Sequence, residues 1–583
     1  MTTSDDARLA AEEAAKAAAE AEEAAEAARK KADELAKAAA QQEEATAAVE
    51  TEPVAETEPA AEKPAPAAEK PASSDIVKTV KAGYAFEGPA LVIGALVDGD
   101  AVPEAQVRIP LGMLNRHGLV AGATGTGKTK TLQVLAEQLA AQGVPVFAAD
   151  IKGDLSGIAS PGVSNEKLAA RCESIGQEWQ PTASPTEYFT LGGLGTGVPI
   201  RASVDTFGPL LLSKVLGLNE TQESSLSLVF HYAREANQPL VDLGDLRSVL
   251  IYLTGTGKAD LKKLGGLSAS TAGVILRELI AFADQGADVF FGQPEIVTSD
   301  FLRTTPDGKG IVSLLEVPSV QDKPALFSTF LMYLLSQLFK ELPEVGDTDK
   351  PKLVFFFDEA HLLFKDASKD FLEQVAQTVR LIRSKGVGVF FVTQTPKDVP
   401  SDVLAQLGSR VQHQLRAHTP DAAKSLKATV STYPHTTYDL EEVLTQLSIG
   451  EAIVTVMNEK GAPSPVAWTR VRAPQGSMEP TPAETIKATV AASPLLAKYG
   501  TAVNPPSATE TLDGREAAAA AEQRKKEEAD RWADEIKGHA RRERQPRTRT
   551  STSRRQSPVE KAAGEAGRTL AREIIKNIFR RRR

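Results

Sequence analysis

Short, largely apolar runs punctuate the middle of this 583-residue chain: Gly118–Ala121, Val144–Asp150, Gly310–Val317, Leu353–Phe357 and Val387–Thr393. Runs without polar alternation are what strands buried on both faces show, as in parallel sheets covered by helices. Between them the apolar residues recur with helical spacing, first at Leu132, Val134, Leu135 and Leu139. Residues 203–290 read mainly as helices, for example Glu223–Ala236 and Ala272–Gln285, and form a helical insertion. The longest apolar segment, Pro324 to Phe339, is broken by Ser328, Thr329 and Ser336 and reads as a buried helix, not a membrane span. The pattern predicts an α/β fold with a mainly parallel central sheet. Ahead of it, β-like runs at Tyr84–Phe86, Ala90–Leu96 and Gln106–Ile109 predict a small β subdomain over 74–115, followed by a core over 116–475.

The ends read differently. Residues 5–50 are almost wholly Ala, Glu, Lys and Gln, with Leu9 and Leu35 as the large apolar residues, so no coiled-coil seam exists there. Residues 51–73 alternate Pro, Glu and Ala as a semi-stiff linker. After 475 the composition returns to Ala, Pro, Thr and charge, and little order is expected to the end. The net charge of −10 hides an asymmetry. Residues 1–72 carry −10 and residues 541–583 carry +11, which leaves −11 for the body. An acidic body with a basic tail does not fit a protein that coats DNA generally. Cys172 stands alone, which excludes internal disulfides and multi-cysteine metal sites. With no apolar run of ~18 residues and no signal-peptide stretch, a cytoplasmic protein is expected.

The chemistry begins where the first apolar run ends. Gly122-Ala123-Thr124-Gly125-Thr126-Gly127-Lys128-Thr129 has two glycines, a lysine and a hydroxyl at the offsets of a phosphate-binding loop, between a strand and a helix. Glycines let backbone N–H groups close on phosphate oxygens, and the helix N-terminus adds partial positive charge. Lys128 reaches the terminal phosphates and Thr129 offers a ligand to Mg²⁺, so the expected ligand is a nucleoside triphosphate, ATP, with Mg²⁺. A look-alike at Thr254-Gly-Thr-Gly-Lys258 has Tyr252 in place of the first glycine and Ala259 in place of the hydroxyl, and reads as a turn.

The run Leu353–Phe357 ends in Asp358-Glu359. A carboxylate at a strand end can hold the Mg²⁺ shell, and a neighbouring glutamate can polarise the attacking water. Adjacent side chains on a strand point to opposite faces, so Glu359 needs the strand to be ending there. Gln394 closes the next run, which in this class of sheet lies between the other two. Its amide could orient water or sense phosphate loss, or it could simply start a loop before Pro396. Hydrolysis also calls for a charge-stabilising arginine. Arg383, Arg410 and Arg116 are candidates, and each could equally be a surface ion-pair partner.

Together His117 through Thr129, Ala149-Asp150-Ile-Lys152-Gly-Asp154-Leu-Ser-Gly, Phe357-Asp358-Glu-Ala-His361-Leu-Leu-Phe and Val392-Thr-Gln394-Thr-Pro resemble the HerA-like branch of the FtsK–HerA ATPases, most nearly the bacterial YjgR-type proteins. Leu216-Gly-Leu-Asn-Glu-Thr-Gln222 and Leu447-Ser-Ile-Gly-Glu451-Ala extend the likeness over about residues 75–475. The resemblance implies a RecA-like sheet, a ring that is usually hexameric, and ATP-driven movement on double-stranded DNA. By position it implies phosphate and Mg²⁺ binding by Lys128 and Thr129, coordination and catalysis by Asp358 and Glu359, and sensing by Gln394. It also implies a trans-acting role for Arg383, a second arginine at Arg116, and a nucleotide-site place for Asp150 at the end of its strand. The N-terminal barrel typical of HerA is abbreviated here, between about Tyr84 and Pro110. Asp358-Glu-Ala-His361 is not a DEAH-box motif, because Thr393-Gln394 follows the next strand where a Ser-Ala-Thr-type motif belongs.

Two other readings stay open. One is a nucleotide-dependent switch or scaffold acting on protein partners through the tails. The other is a pump for a different polymer. In the basic tail, Leu570, Ile574, Ile575, Ile578 and Phe579 share a helical face beside Arg580–Arg583. That face could dock on the core or another subunit, meet nucleic acid, or lie on an anionic membrane.

Overall fold

A computed structural model describes residues 73–542, apart from 151, 264–265, 317–323 and 366. The acidic N-terminal tail and the terminal amphipathic segment of the basic tail lie outside the described residues.

Among the described residues twelve strands form one sheet: β1 (Ala90–Asp98), β2 (Asp100–Pro110), β3 (Gly118–Ala121), β4 (Val146–Asp150), β5 (Thr186–Leu191), β6 (Val198–Ile200), β7 (Val312–Glu316), β8 (Leu353–Phe357), β9 (Val387–Thr393), β10 (Ser409–Gln412), β11 (Glu451–Thr455) and β12 (Ala467–Val471). Their order is β2-β1-β12-β11-β10-β3-β9-β8-β4-β7-β5-β6. From β10 to β6 every pair is parallel, and from β10 to β2 every pair is antiparallel. The α/β architecture with a mainly parallel sheet is as the apolar runs indicate. The early β-like runs differ from expectation. β1 and β2 do not stand apart as a subdomain but continue the same sheet through β12, with Gly94 opposite Val471. A Cβ at Gly94 would fall about 2.0 Å from the Arg470 carbonyl oxygen, so glycine permits that close pairing.

The buried strands divide their side chains by alternation. Phe147, Ala149, Phe355, Phe357 and Phe391 face one core, while Val146, Ala148, Val354, Phe356, Phe390 and Val392 face the other. The longer helices are α1 (Ser73–Gly83), α2 (Lys128–Ala141), α3 (Glu166–Ser174), α4 (Pro209–Val215), α5 (Glu220–Glu235), α6 (Leu243–Thr254), α7 (Ala269–Asp284), α8 (Pro324–Glu341), α9 (Lys369–Ile382), α10 (Pro420–Val430), α11 (Leu440–Gln446), α12 (Ala483–Ala492), α13 (Pro494–Tyr499) and α14 (Ala508–Arg542). Residues from α4 to α8 cover the first core, and α2 lies in the second. The apolar segment after Pro324 is the buried helix α8, with Phe330, Leu334 and Leu338 inaccessible. Among the described residues no helix is long and apolar enough to cross a membrane. The phosphate-loop look-alike is the turn that ends α6 at Gly255.

Order does not stop at 475. Residues 475–477 cross α2, where Glu137 accepts N–H bonds from Gln475 and Gly476, each at 2.8 Å. Tyr499 is fully buried, and its hydroxyl bonds Asp300 while accepting the Val297 N–H at 3.0 Å. Ala508 and Leu512 are buried as α14 starts, and Asp245 of α6 accepts the Thr509 N–H at 3.0 Å. The anchors join residues far apart in sequence, so no periodicity announces them. From Asp513 to Lys537 the side chains of α14 are exposed, Trp532 and Ile536 included.

Candidate active site

The phosphate loop leaves the C-terminal end of β3. Gly122, Gly125 and Gly127 have φ of 156°, 83° and 114°, conformations that side chains rarely adopt. Ala123 N–H bonds Gln414 O at 2.8 Å and Thr126 N–H bonds Ala123 O at 3.4 Å, so the loop is tethered at its base. Exposed Thr124 and Gly125 form its rim. α2 opens at Lys128 with no side-chain cap, which leaves its first amides facing outward, and half-buried Thr129 lies in that turn. The Lys128 ammonium folds back onto the loop's own carbonyls, 2.7 Å from Gly122 O and 3.1 Å from Ala123 O. Burial pulls its pKa down, against the attraction of Glu359 and Asp358.

The sheet order brings the second half of the site alongside. β9 lies between β3 and β8, with Ala121 opposite Thr393. Gln394 therefore leaves its strand level with Gly122, and it shares a pocket with Ala123 and Thr124. β8 ends at Phe357, and Asp358 to Ala360 form a turn in which Glu359 has φ of 47°. This left-handed residue answers the strand-parity problem: the chain leaves β geometry before Glu359, so both carboxylates reach one region. A non-glycine residue held there at some cost is a common mark of a functional position. Burial and the neighbouring Glu359 push Asp358 up to about 7. Glu359 Oε1 accepts from Lys152 Nζ at 3.1 Å, while Oε2 is buried 3.4 Å from His361 Nδ1 without a well-formed hydrogen bond.

Lys152 is a site residue to which its motif gave no role. Burial lowers its pKa, but the Glu359 bond and the charges of Asp358 and Asp154 leave it raised. Asp150 shapes that stretch. Its two oxygens accept from the N–H groups of Gly153, Leu155 and Ser156 at 2.7–3.0 Å, so it holds the turn carrying Lys152. Arg416, just past β10, is a second missed residue, exposed with Nη2 3.4 Å from Thr124 O. Nothing in a lone arginine on a loop would have marked it.

The three arginines chosen from sequence are not at this edge. Arg116 precedes β3 and Arg383 precedes β9, so both sit at the opposite, N-terminal end of the parallel strands. There each lies 3.5 Å from Asp347 Oδ1. β9 has seven residues. At ~3.3 Å per residue, more than 20 Å separates that end from the loop, beyond the reach of an arginine side chain. Arg410 donates to Thr432 Oγ1 at 2.6 Å and lies over the Tyr433 ring, a local structural role.

Beneath the loop, buried His413 bonds Thr131 Oγ1 at 2.9 Å and Glu451 O at 2.8 Å, and burial lowers its pKa to about 4. It joins α2 to β10 and β11 as a neutral spacer. The stretch Leu447 to Ala452, unassigned from sequence, latches the loop: Gly450 N–H bonds Thr126 O at 3.0 Å.

Comparison with known proteins adds the family. The family model described as "Helicase HerA-like C-terminal" matches residues 96–582. A probable helicase of Methanocaldococcus jannaschii is 24% identical over 364 residues, 59% of this chain and 64% of its own length. The DNA double-strand break repair helicase HerA of Sulfolobus acidocaldarius is 21% identical, over 62% of this chain and 66% of its own. The chain thus spans just under two thirds of the length of these relatives. Among solved structures, the bacterial conjugative coupling protein TrwBdeltaN70 matches with a TM-score of 0.45 and 17% identity, over 70% of this chain and 94% of its own. VirB4 of Thermoanaerobacter pseudethanolicus matches with a TM-score of 0.44 and 14% identity, over 66% and 97%. With its glycine loop, paired acids and glutamine side by side on one sheet edge, and a family match over most of its length, the chain belongs to the helicase HerA-like C-terminal family.

Proposed function

We propose that this chain binds ATP with Mg²⁺ on the loop from Gly122 to Thr129, hydrolyses it, and works as a ring-forming motor on double-stranded DNA. The observation that carries this is the split of the machinery between two ends of the sheet. Lys128, Asp358, Glu359 and Gln394 share the C-terminal edge, while Arg116 and Arg383 stand at the other, where a neighbouring copy's nucleotide could meet them.

The residues fit the ligand. The loop has three glycines with positive φ, an uncapped helix start, and a lysine held on carbonyls that phosphate oxygens would replace. Thr129 and Asp358 would hold the Mg²⁺, which neutralises charge building on the phosphates. Glu359 would polarise the attacking water through Oε2, the oxygen that takes no hydrogen bond, with Lys152 on Oε1 fixing the carboxylate. Gln394 would orient that water, and Asp150 would position the Lys152 turn. Arg383, with Arg116 beside it, would stabilise the transferring phosphoryl group in the next subunit, in a ring we take to be hexameric. Relatives named as DNA repair helicases support DNA as the cargo, and a cytoplasmic setting follows from that substrate. Arg541–Arg583 would then tether DNA through phosphate contacts.

The test is ATP hydrolysis by the full chain with and without double-stranded DNA. Stimulation by DNA is expected, with Lys128→Ala and Glu359→Gln each lowering turnover by ~10²–10⁴-fold. Hydrolysis indifferent to DNA of every length, or monomers persisting in sedimentation with an ATP analogue and Mg²⁺, would favour a nucleotide-dependent switch acting on protein partners.

A further inference from the structure

In the helical insertion, between the start of α6 and the end of α7, lies an open groove of about 290 Å³. Buried Leu243, Leu279 and Phe291 form its floor. Ile280 stands at its lip, 39% exposed, and Asp242, Asp284 and Asp288 rim it against Arg247. Asp284 and Asp288 are exposed, and among the described residues none of the three carboxylates is in an ion pair. Asp242 caps α6 by accepting the Asp245 N–H at 3.0 Å. Burial raises its pKa, and the charges of Asp245 and Glu510 add to the effect, so negative charge is crowded at that end. An aliphatic floor edged by carboxylates without cations fits a helix that carries an apolar row with positive charge beside it. A larger groove of about 640 Å³ along α9 sets Lys369 and Arg380 against Glu373 and Asp402, and so selects neither sign of charge.

The last residues of this chain have the matching pattern. Leu570, Ile574 and Ile578 recur every four residues, with Ile575 and Phe579 beside them. Arg572, Lys576 and Arg580 recur at the same interval along the edge of that row, and Arg581–Arg583 follow. Glu573 is the one acid in this stretch. The chain is also long enough to return. α14 is rooted beside the groove, where Asp245, in the first turn of α6, accepts the Thr509 N–H at 3.0 Å. From that root the 35 residues of α14 carry the chain ~50 Å. Residues 543–569 can span up to ~90 Å, enough to bring Leu570 back to α6.

We propose that the segment Leu570–Arg583 docks in the α6–α7 groove of its own chain. Its aliphatic row covers Leu243, Leu279, Ile280 and Phe291, and its basic side chains meet Asp242, Asp284 and Asp288. The insertion is then a receptor for the chain's own end, and the basic residues of 541–568 are left for the phosphate contacts proposed above.

Photocrosslinking in the full chain tests this, with Phe579→benzoylphenylalanine as the probe. Crosslinks are mapped by mass spectrometry in an equal mixture of isotope-labelled and unlabelled protein, alone and with double-stranded DNA or phosphatidylserine vesicles. Crosslinks within one chain to residues 242–247 and 279–291 are expected. Asp284→Lys together with Asp288→Lys, both at exposed positions, is expected to lower their yield about tenfold. Adding Arg572→Glu, Lys576→Glu and Arg580→Glu to that variant is expected to restore the yield. Crosslinks scattered over the surface, crosslinks joining labelled to unlabelled chains, or capture only by the DNA or the vesicles would overturn the docking. So would a yield indifferent to the aspartate reversal, or a reversal that the charge swap fails to rescue.

Discussion

Replacing Arg383 by alanine tests whether the site is shared between copies. Arg383 lies before β9 and Gln394 after it, with seven residues of strand between. That separation of more than ~20 Å rules out a contact between Arg383 and its own chain's loop. The side chain is 39% exposed and its link to Asp347 is 3.5 Å long. Surface pairs of this kind are worth ~0–1 kcal/mol, so leaving Asp347 for a neighbour's phosphates costs little. If Arg383 completes the next subunit's site, Arg383→Ala should lose ~10³-fold or more in turnover, as arginine fingers do, while still binding nucleotide. The decisive assay mixes this variant in equal amounts with Glu359→Gln, itself inactive. A competent site then needs a chain with Glu359 beside a chain with Arg383. Random assembly gives that arrangement at about one interface in four, so the mixture should recover about a quarter of wild-type hydrolysis. A mixture as inactive as its parents, although co-assembled by sedimentation, would refute the shared site. So would an Arg383→Ala variant with normal turnover.

Other consequences follow from the same geometry. Because Asp358 and Asp150 are raised to about 7 and 6, the metal-free fold holds more protons than the unfolded chain between about pH 4 and 7. Stability in chelator should therefore fall as pH rises through that window, and Asp358→Asn should flatten the slope in urea titrations across pH. Tyr499→Ala should cost ~3–5 kcal/mol and expose the segment after 475 to limited proteolysis, whereas Tyr499→Phe should cost ~1–2 kcal/mol. Gly450→Val forces a branched side chain into a left-handed turn where a Cβ would meet Arg171 Nη2 at 2.7 Å. It should raise the KM for ATP several-fold with little change in kcat.

Local rules were enough to read the phosphate loop, the acids at a strand end and the buried helix at Pro324. Each is a signal within a dozen residues: a glycine–lysine spacing, an apolar run closed by carboxylates, a period. Those signals come from backbone sterics and burial, which any neighbourhood imposes. Pairings across long separations were not legible. Asp150 shows this: as the last residue of an apolar strand it passes for a ligand, and only the three N–H groups converging on it reveal a turn clamp. Lys152 gains its place from a carboxylate 207 residues away. The segment after 475 is held through Glu137, Asp300 and Asp245, contacts hundreds of residues apart that leave no periodic trace.

What the sequence alone determined is that this chain carries a phosphate-loop motif and an apolar strand closed by two acids in an α/β core. That conclusion needs only local chemistry. The tertiary structure decided which residues share that edge, because strand order and not chain order sets adjacency. It set β9 between β3 and β8, turned Glu359 out of its strand, sent Arg116 and Arg383 to the far edge, and folded the 475–481 strap over α2.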